Sequence, residues 1–164
     1  MIKFYDLKKQ DKSLHSKILD KFKKIIKKTN FILGEDVEVF EKNFAKFVGA
    51  KYSIGCANGT DALTLALTSL NLPKNSEVII PAMTYCSTAF AVINCGLKPV
   101  LVDIGNQSPV IDVNKIESKI SKNTKVIMPV HLYGSSVDLN SIKKIIRKNK
   151  KKIFLIDDCS QAHG

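Results

Sequence analysis

The residues best suited to chemistry sit in "LIDDCSQAHG" (155–164), where an apolar run delivers two adjacent carboxylates, Asp157 and Asp158, followed by Gln161. A carboxylate at the end of a buried strand is costly unless it meets a cation or strong donors. If the run is a strand, alternation sends the two carboxylates to opposite sides, which argues against their acting as a pair. A single buried Asp that holds a protonated ring nitrogen is one recurring use of such a group. Capping the turn that follows is the other, and this segment alone leaves both open.

Two further stretches could bind a ligand. "CANGTDALTLAL" (56–67) reads as a strand end, a turn and a helix start. A helix N-terminus offers unpaired N–H groups and partial positive charge. Gly59 lets the backbone approach a ligand and Thr60 adds a hydroxyl, which makes a plausible phosphate cradle. It is neither a Walker loop nor GxGxxG. Asn58 and Thr60 could equally serve only to turn the chain and cap the helix. "PAMTYCSTAF" (81–90) puts Tyr85 just past a strand, where its ring can either stack on a flat ligand or simply pack with its hydroxyl wet.

These residues need a frame, and the hydrophobic pattern supplies one. Leu14, Ile18, Leu19, Phe22, Ile25 and Ile26 form one stripe over 13–28, and Val37, Phe40, Phe44 and Phe47 another over 35–49, with Gly49 as the stop. After them, strand-like runs at 52–57, 77–82, 99–104, 125–132 and 152–158 alternate with helical segments at 60–71, 85–95, 112–121 and 139–149. Near-continuous apolar strands separated by helices predict an α/β fold, a mostly parallel sheet with helices on both faces. Ligands of such sheets bind beyond the carboxyl ends of the strands, where all three stretches fall. The expected organisation is a helical N-terminal lead-in over 1–50 and an α/β domain over 51–164.

Composition removes several alternatives. The formal net charge is +11, but the lysines cluster in "KFKKIIKK" (21–28) and "IKKIIRKNKKK" (142–152), interleaved with apolar residues at helical spacing. That fits solvated helix faces, so no nucleic-acid partner is expected. The apolar stretch 78–97 contains Pro81 and several polar residues, so no membrane span is expected. "MIKFYDLKKQDK" has no apolar core of a secretory signal. Cys56, Cys86, Cys95 and Cys159 form no CxxC pair, in keeping with reduced thiols in the cytoplasm, and the three histidines are too scattered in sequence to suggest a metal site.

The order of the signals is more specific than any one of them: a cradle, an aromatic, then a strand-end Asp followed by Gln. With "FYDLKKQ" (4–10), "FILGEDVEVFEKNFAKFVGAKYSIGCANGTDAL" (31–63), "VIIPAMTYCSTAFAVINCGLKPVLVDI" (78–104), "PVHLYG" (129–134) and "LIDDCSQAHG" (155–164), the chain resembles the DegT/DnrJ/StrS group of sugar-nucleotide aminotransferases, fold-type I pyridoxal-phosphate enzymes. The resemblance implies that Gly59 and Thr60 hold the phosphate of pyridoxal 5′-phosphate and that Tyr85 stacks on its pyridine. Asp158 is the catalytic candidate, pairing with the pyridine nitrogen, and Gln161 sits near the ring's 3-oxygen. It further implies a homodimer that moves an amino group from glutamate or glutamine to a nucleotide-linked keto-sugar. The family's Schiff-base lysine lies beyond the stretch matching "DDCSQAHG". These residues are therefore expected to be the N-terminal part of the enzyme, with further strands and a C-terminal domain missing, inactive and poorly folded alone. A sugar dehydratase of the same family, with His in place of that lysine, and a short non-catalytic binding protein are the rival readings.

Overall fold

The computed structural model describes residues 13–149 and 151–163, so "FYDLKKQ" lies outside the described residues. The chain divides into two compact units, Met1–Gly55 and Cys56–Gly164.

The first unit holds α1 (Ser13–Lys28) and α2 (Glu35–Val48). Helix α2 has Glu35, Asp36 and Glu38 in its first turn and Lys46 in its last, which complements the helix dipole. Gly49 ends it in the left-handed region (φ 69°), with its N–H on the Lys46 carbonyl, as the sequence leads one to expect. Ion pairs Lys21–Asp36 and Lys28–Glu35 join the two helices at exposed positions, where each is worth about 0–1 kcal/mol. The stripe expected on α1 is present, and Leu14, Ile18, Leu19, Phe22 and Ile26 on it remain exposed.

Residues 52–57 form no strand, contrary to their apolar pattern. β-propensity acts only through a partner to pair and pack with. Here the Gly55 N–H goes instead to the Glu41 side chain at 2.6 Å, while Tyr52 and Ile54 stay exposed.

The second unit is built on four parallel strands, β1 (Glu77–Pro81), β2 (Lys98–Val102), β3 (Thr124–Ile127) and β4 (Phe154–Leu155), in the order β2-β1-β3-β4. Helix α3 (Gly59–Ser69) leads into β1, and α4 (Ser87–Asn94), α5 (Val113–Ile116) and α6 (Leu139–Lys148) connect the strands in turn. Alternation sorts the core into two layers. Val78, Ile80, Val126 and Met128 pack with Leu63 and Leu67 of α3 and with Ala91 and Val92 of α4. Ile79 and Ile127 point the other way, against Ile116 of α5 and Ile142 of α6. Val78, Ile79, Ile80, Val126, Ile127 and Met128 are fully buried. That is why these strands read as unbroken apolar runs rather than alternating ones. On α6, Ile142 is buried while Lys143, Lys144, Arg147 and Lys148 face solvent.

Strands β3 and β4 are shorter than their sequence runs. Pro129 lacks an N–H and interrupts the ladder, yet main-chain bonds continue past it. The Ile156 N–H reaches the Ile127 carbonyl (3.1 Å) and the Asp158 N–H the Pro129 carbonyl (3.1 Å). The segment 112–121 holds only the four residues of α5 and a 3-10 turn, Glu117–Lys119, in place of one long helix.

Ile79→Ala leaves a cavity in a closed layer and should destabilise the fold by about 2–5 kcal/mol, whereas Leu101→Ala, on the half-exposed edge strand β2, should change stability by about 0.5 kcal/mol. Urea unfolding followed by circular dichroism measures both. Equal losses would show that the α5–α6 side of the sheet is not a closed layer.

Candidate active site

From β1 the chain moves to β2 on one side, and from β3 to β4 on the other. The order therefore reverses between β1 and β3, which opens a crevice beyond their carboxyl ends. A cavity of about 320 Å³ lies among the segments that leave these strands. Thr84 and Tyr85 after β1, Val130 and Leu132 after β3, Asp158 and Gln161 after β4, and Gly59 and Thr60 at the start of α3 line it. All five residues singled out in the sequence, Gly59, Thr60, Tyr85, Asp158 and Gln161, thus meet around one space.

At α3 the capping reading of the turn is realised. The extended Asn58 caps the helix, its side chain accepting the Asp61 N–H at 2.9 Å and its carbonyl the Ala62 N–H at 3.0 Å. The Gly59 and Thr60 N–H groups belong to the first turn and have no intrahelical acceptor. The Thr60 hydroxyl donates to Ser87 Oγ at 2.8 Å. Ser87 and Thr88, which open α4, also line the cavity, so two helix N-termini face it. Both favour negative charge there. The backbone of Gly59 is not left-handed. A Cβ there would sit 3.8 Å from Ser160 Oγ, filling space between α3 and the loop after β4.

Asp158 is buried, 8% exposed. Its Oδ1 accepts both the Ser160 N–H at 3.1 Å and the Ser160 hydroxyl at 2.5 Å, an Asx-type turn closed by the residue two positions on. Its N–H and carbonyl are tied to Pro129 and to the His131 N–H (3.0 Å). Among the described residues no donor meets Oδ2, which leaves it for a ligand. Near the same mouth, Tyr85 is 72% exposed and Gln161 Oε1 accepts the Tyr133 N–H at 2.6 Å. Tyr133 is left-handed (φ 55°, ψ 28°), a conformation that costs a residue with a Cβ about 1–2 kcal/mol.

Asp157 points away from Asp158, as alternation requires, and meets His131, whose Nε2 lies 2.6 Å from Asp157 Oδ1. Buried His131 was passed over in the sequence because nothing local links it to residue 157. Adjacent strands β3 and β4 bring the two together. With Cys159 they form a cluster whose potential ligand atoms lie within 4.8 Å of one another. The imidazole argues against a metal there. Its Nδ1 accepts the Val137 N–H at 2.9 Å, so the proton of the neutral ring rests on Nε2, the atom a metal would need. Burial and the neighbouring Asp157 charge push the Cys159 thiol up to about 11, which disfavours a thiolate ligand. Sequence reasoning also missed Ser87, which carries no local signal, and Ser160, whose D-x-S spacing from Asp158 was visible.

This fold and site place the molecule in a known class. The chain belongs to the DegT/DnrJ/EryC1/StrS aminotransferase family, whose model matches residues 12–164. It is 43% identical over its full 164 residues to the dTDP-3-amino-3,6-dideoxy-alpha-D-galactopyranose transaminase of Aneurinibacillus thermoaerophilus. It is 41% identical over the same length to the UDP-2-acetamido-2-deoxy-3-oxo-D-glucuronate aminotransferase of Pseudomonas aeruginosa. In each case it spans 45% of the relative. The crystal structure of S. venezuelae DesV in complex with a ketimine intermediate superposes with a TM-score of 0.93 at 31% identity, covering 99% of this chain and 43% of that one. Bacillus subtilis NtdA with bound cofactor PMP gives 0.88 at 35% identity, covering 93% and 34%. No helix among the described residues is long and apolar enough to cross a membrane.

Because its folded-state thiol ionises only near pH 11, Cys159 should alkylate with iodoacetamide at pH 8 roughly tenfold or more slowly than exposed Cys56 and Cys86, and speed up as pH approaches 11. Mass spectrometry of the labelled peptides reads the order. Equal rates at all three would mean that Asp157 and burial do not act on Cys159.

Proposed function

We propose that these residues form the cofactor-binding part of a pyridoxal-phosphate-dependent aminotransferase. The enzyme moves an amino group from glutamate or glutamine to a nucleotide-linked keto-sugar, for polysaccharide or other sugar biosynthesis, and works in the cytoplasm as a homodimer. The observation that carries the reading is the donor set of the cavity: two helix N-termini with Thr60 and Ser87 hydroxyls, and a buried carboxylate whose Oδ2 meets no donor among the described residues. A phosphate suits the first and a protonated ring nitrogen the second. The names of the relatives support the substrate class, and the PMP-bound neighbour supports the cofactor.

In this reading the Gly59 and Thr60 N–H groups hold the phosphate together with the Ser87 hydroxyl, which the Thr60 hydroxyl orients. Tyr85 covers a face of the ring with its own exposed ring. Asp158, fixed by Ser160, keeps the ring nitrogen protonated by accepting a charge-assisted bond at Oδ2. So held, the cofactor supplies an electron sink for the pair released when a Cα–H proton leaves. None of the lining residues is a lysine. In this reading the base that moves that proton comes from outside the cavity wall described here.

The test is to titrate pyridoxal 5′-phosphate into the full-length protein that carries this sequence, following its absorbance. Asp158→Asn should weaken binding on the order of 10–100-fold and Thr60→Ala about 3–10-fold, as expected for loss of a charged and of a neutral hydrogen bond. Amination of a keto-sugar nucleotide should fall with Asp158→Asn. Unchanged cofactor binding in both variants would sink the reading.

A further inference from the structure

The main-chain ladder between the segments that follow β3 and β4 ends at His131, whose N–H donates to the Asp158 carbonyl. Two residues on, Tyr133 (φ 55°) and Gly134 (φ 78°) are left-handed in succession. This turn presents the Tyr133 N–H to Gln161 Oε1 at 2.6 Å, so a side-chain amide takes the next rung. A backbone N–H only donates, so the amide atom it meets is the oxygen. Gln161 lines the cavity with its oxygen engaged in this way and its NH2 end not taken up by Tyr133. The left-handed backbone is unfavourable for any residue with a Cβ, and the Tyr133 ring, 71% exposed, gains no burial in return.

We propose that Tyr133 is a positioning residue whose left-handed backbone latches Gln161, fixing its amide NH2 as a donor toward the 3-oxygen carried by the ring of the bound cofactor. The inference rests on the cofactor reading above. A freely rotating amide would present its oxygen as readily as its NH2, and an oxygen repels an anionic 3-oxygen. The latch removes that second orientation before the ligand arrives.

Titration of the full-length protein with pyridoxal 5′-phosphate, together with the pH midpoint of the bound cofactor's absorbance, tests the latch. Tyr133→Gly keeps both the N–H and the conformation and should bind within about twofold of the unaltered protein. Tyr133→Val, β-branched and poorly left-handed, and Gln161→Leu should each weaken binding about tenfold and move the pH midpoint the same way. Combined, they should be no weaker than the worse single change. Gln161→Glu still accepts from Tyr133 but offers no donor, and should be as weak as Gln161→Leu. It reports on the latch even if Tyr133→Val does not fold. Additive losses, a Gln161→Glu variant that binds normally, or a Tyr133→Gly variant as weak as Tyr133→Val would each overturn the latch. In those cases a loss in Asp158→Asn would leave the cofactor reading standing. Failure of the unaltered protein to bind would overturn both.

Discussion

The rest of the site depends on the burial of β1 and β3 on both faces. Between the α3–α4 layer and the α5–α6 layer, six consecutive-facing side chains of these strands and their extensions have no contact with water. A polar side chain there would lose its hydration without a partner, at a cost of some 1–3 kcal/mol or more. Chemistry is therefore pushed to where the strands end. Because the strands are parallel, those ends lie on one side, and because their order reverses between β1 and β3, the ends part to leave a cavity.

The same desolvation explains the form of the site. Asp158 is one of the few buried charged residues, and it is accommodated by two donors from one neighbour, Ser160, plus main-chain bonds on either side of its Cα. Those bonds use only one carboxylate oxygen. The carboxylate is held through Oδ1, while among the described residues no donor meets Oδ2. Next to it, Asp157 is spent on a structural partner. His131 is fixed by the Val137 N–H as the tautomer that donates to Asp157, so two adjacent acids in sequence have unlike environments. One strand's alternation separated them, and the neighbouring strand gave each a different task.

The fold was largely legible because burial on both sheet faces leaves an unmistakable record of apolar runs between amphipathic helices. It misled at 52–57, where "YSIGCA" has the composition of a strand, but pairing, which composition does not report, is absent. It also misled over lengths, since Pro129 breaks the assigned strand while main-chain bonds run on past it. Five residues of the cavity wall were visible as strand-end or helix-start signals. Ser87 and His131 were not, because their partners Thr60 and Asp157 are 27 and 26 residues away.

What the sequence by itself determined is whatever depends on neighbours along the chain: the helix stripes, the Asn58 cap, the Gly49 stop, the opposite facing of Asp157 and Asp158, and the Asx turn latent in D-x-S. Each is set by a local period or by a side chain that reaches its own backbone. Only the tertiary structure decided that Thr60 would meet Ser87, that His131 would be spent on Asp157, and that Tyr133 would take a strained backbone to hold Gln161. Those contacts join segments brought together by strand order, and strand order is chosen by the packing of whole layers, which no short stretch of residues encodes.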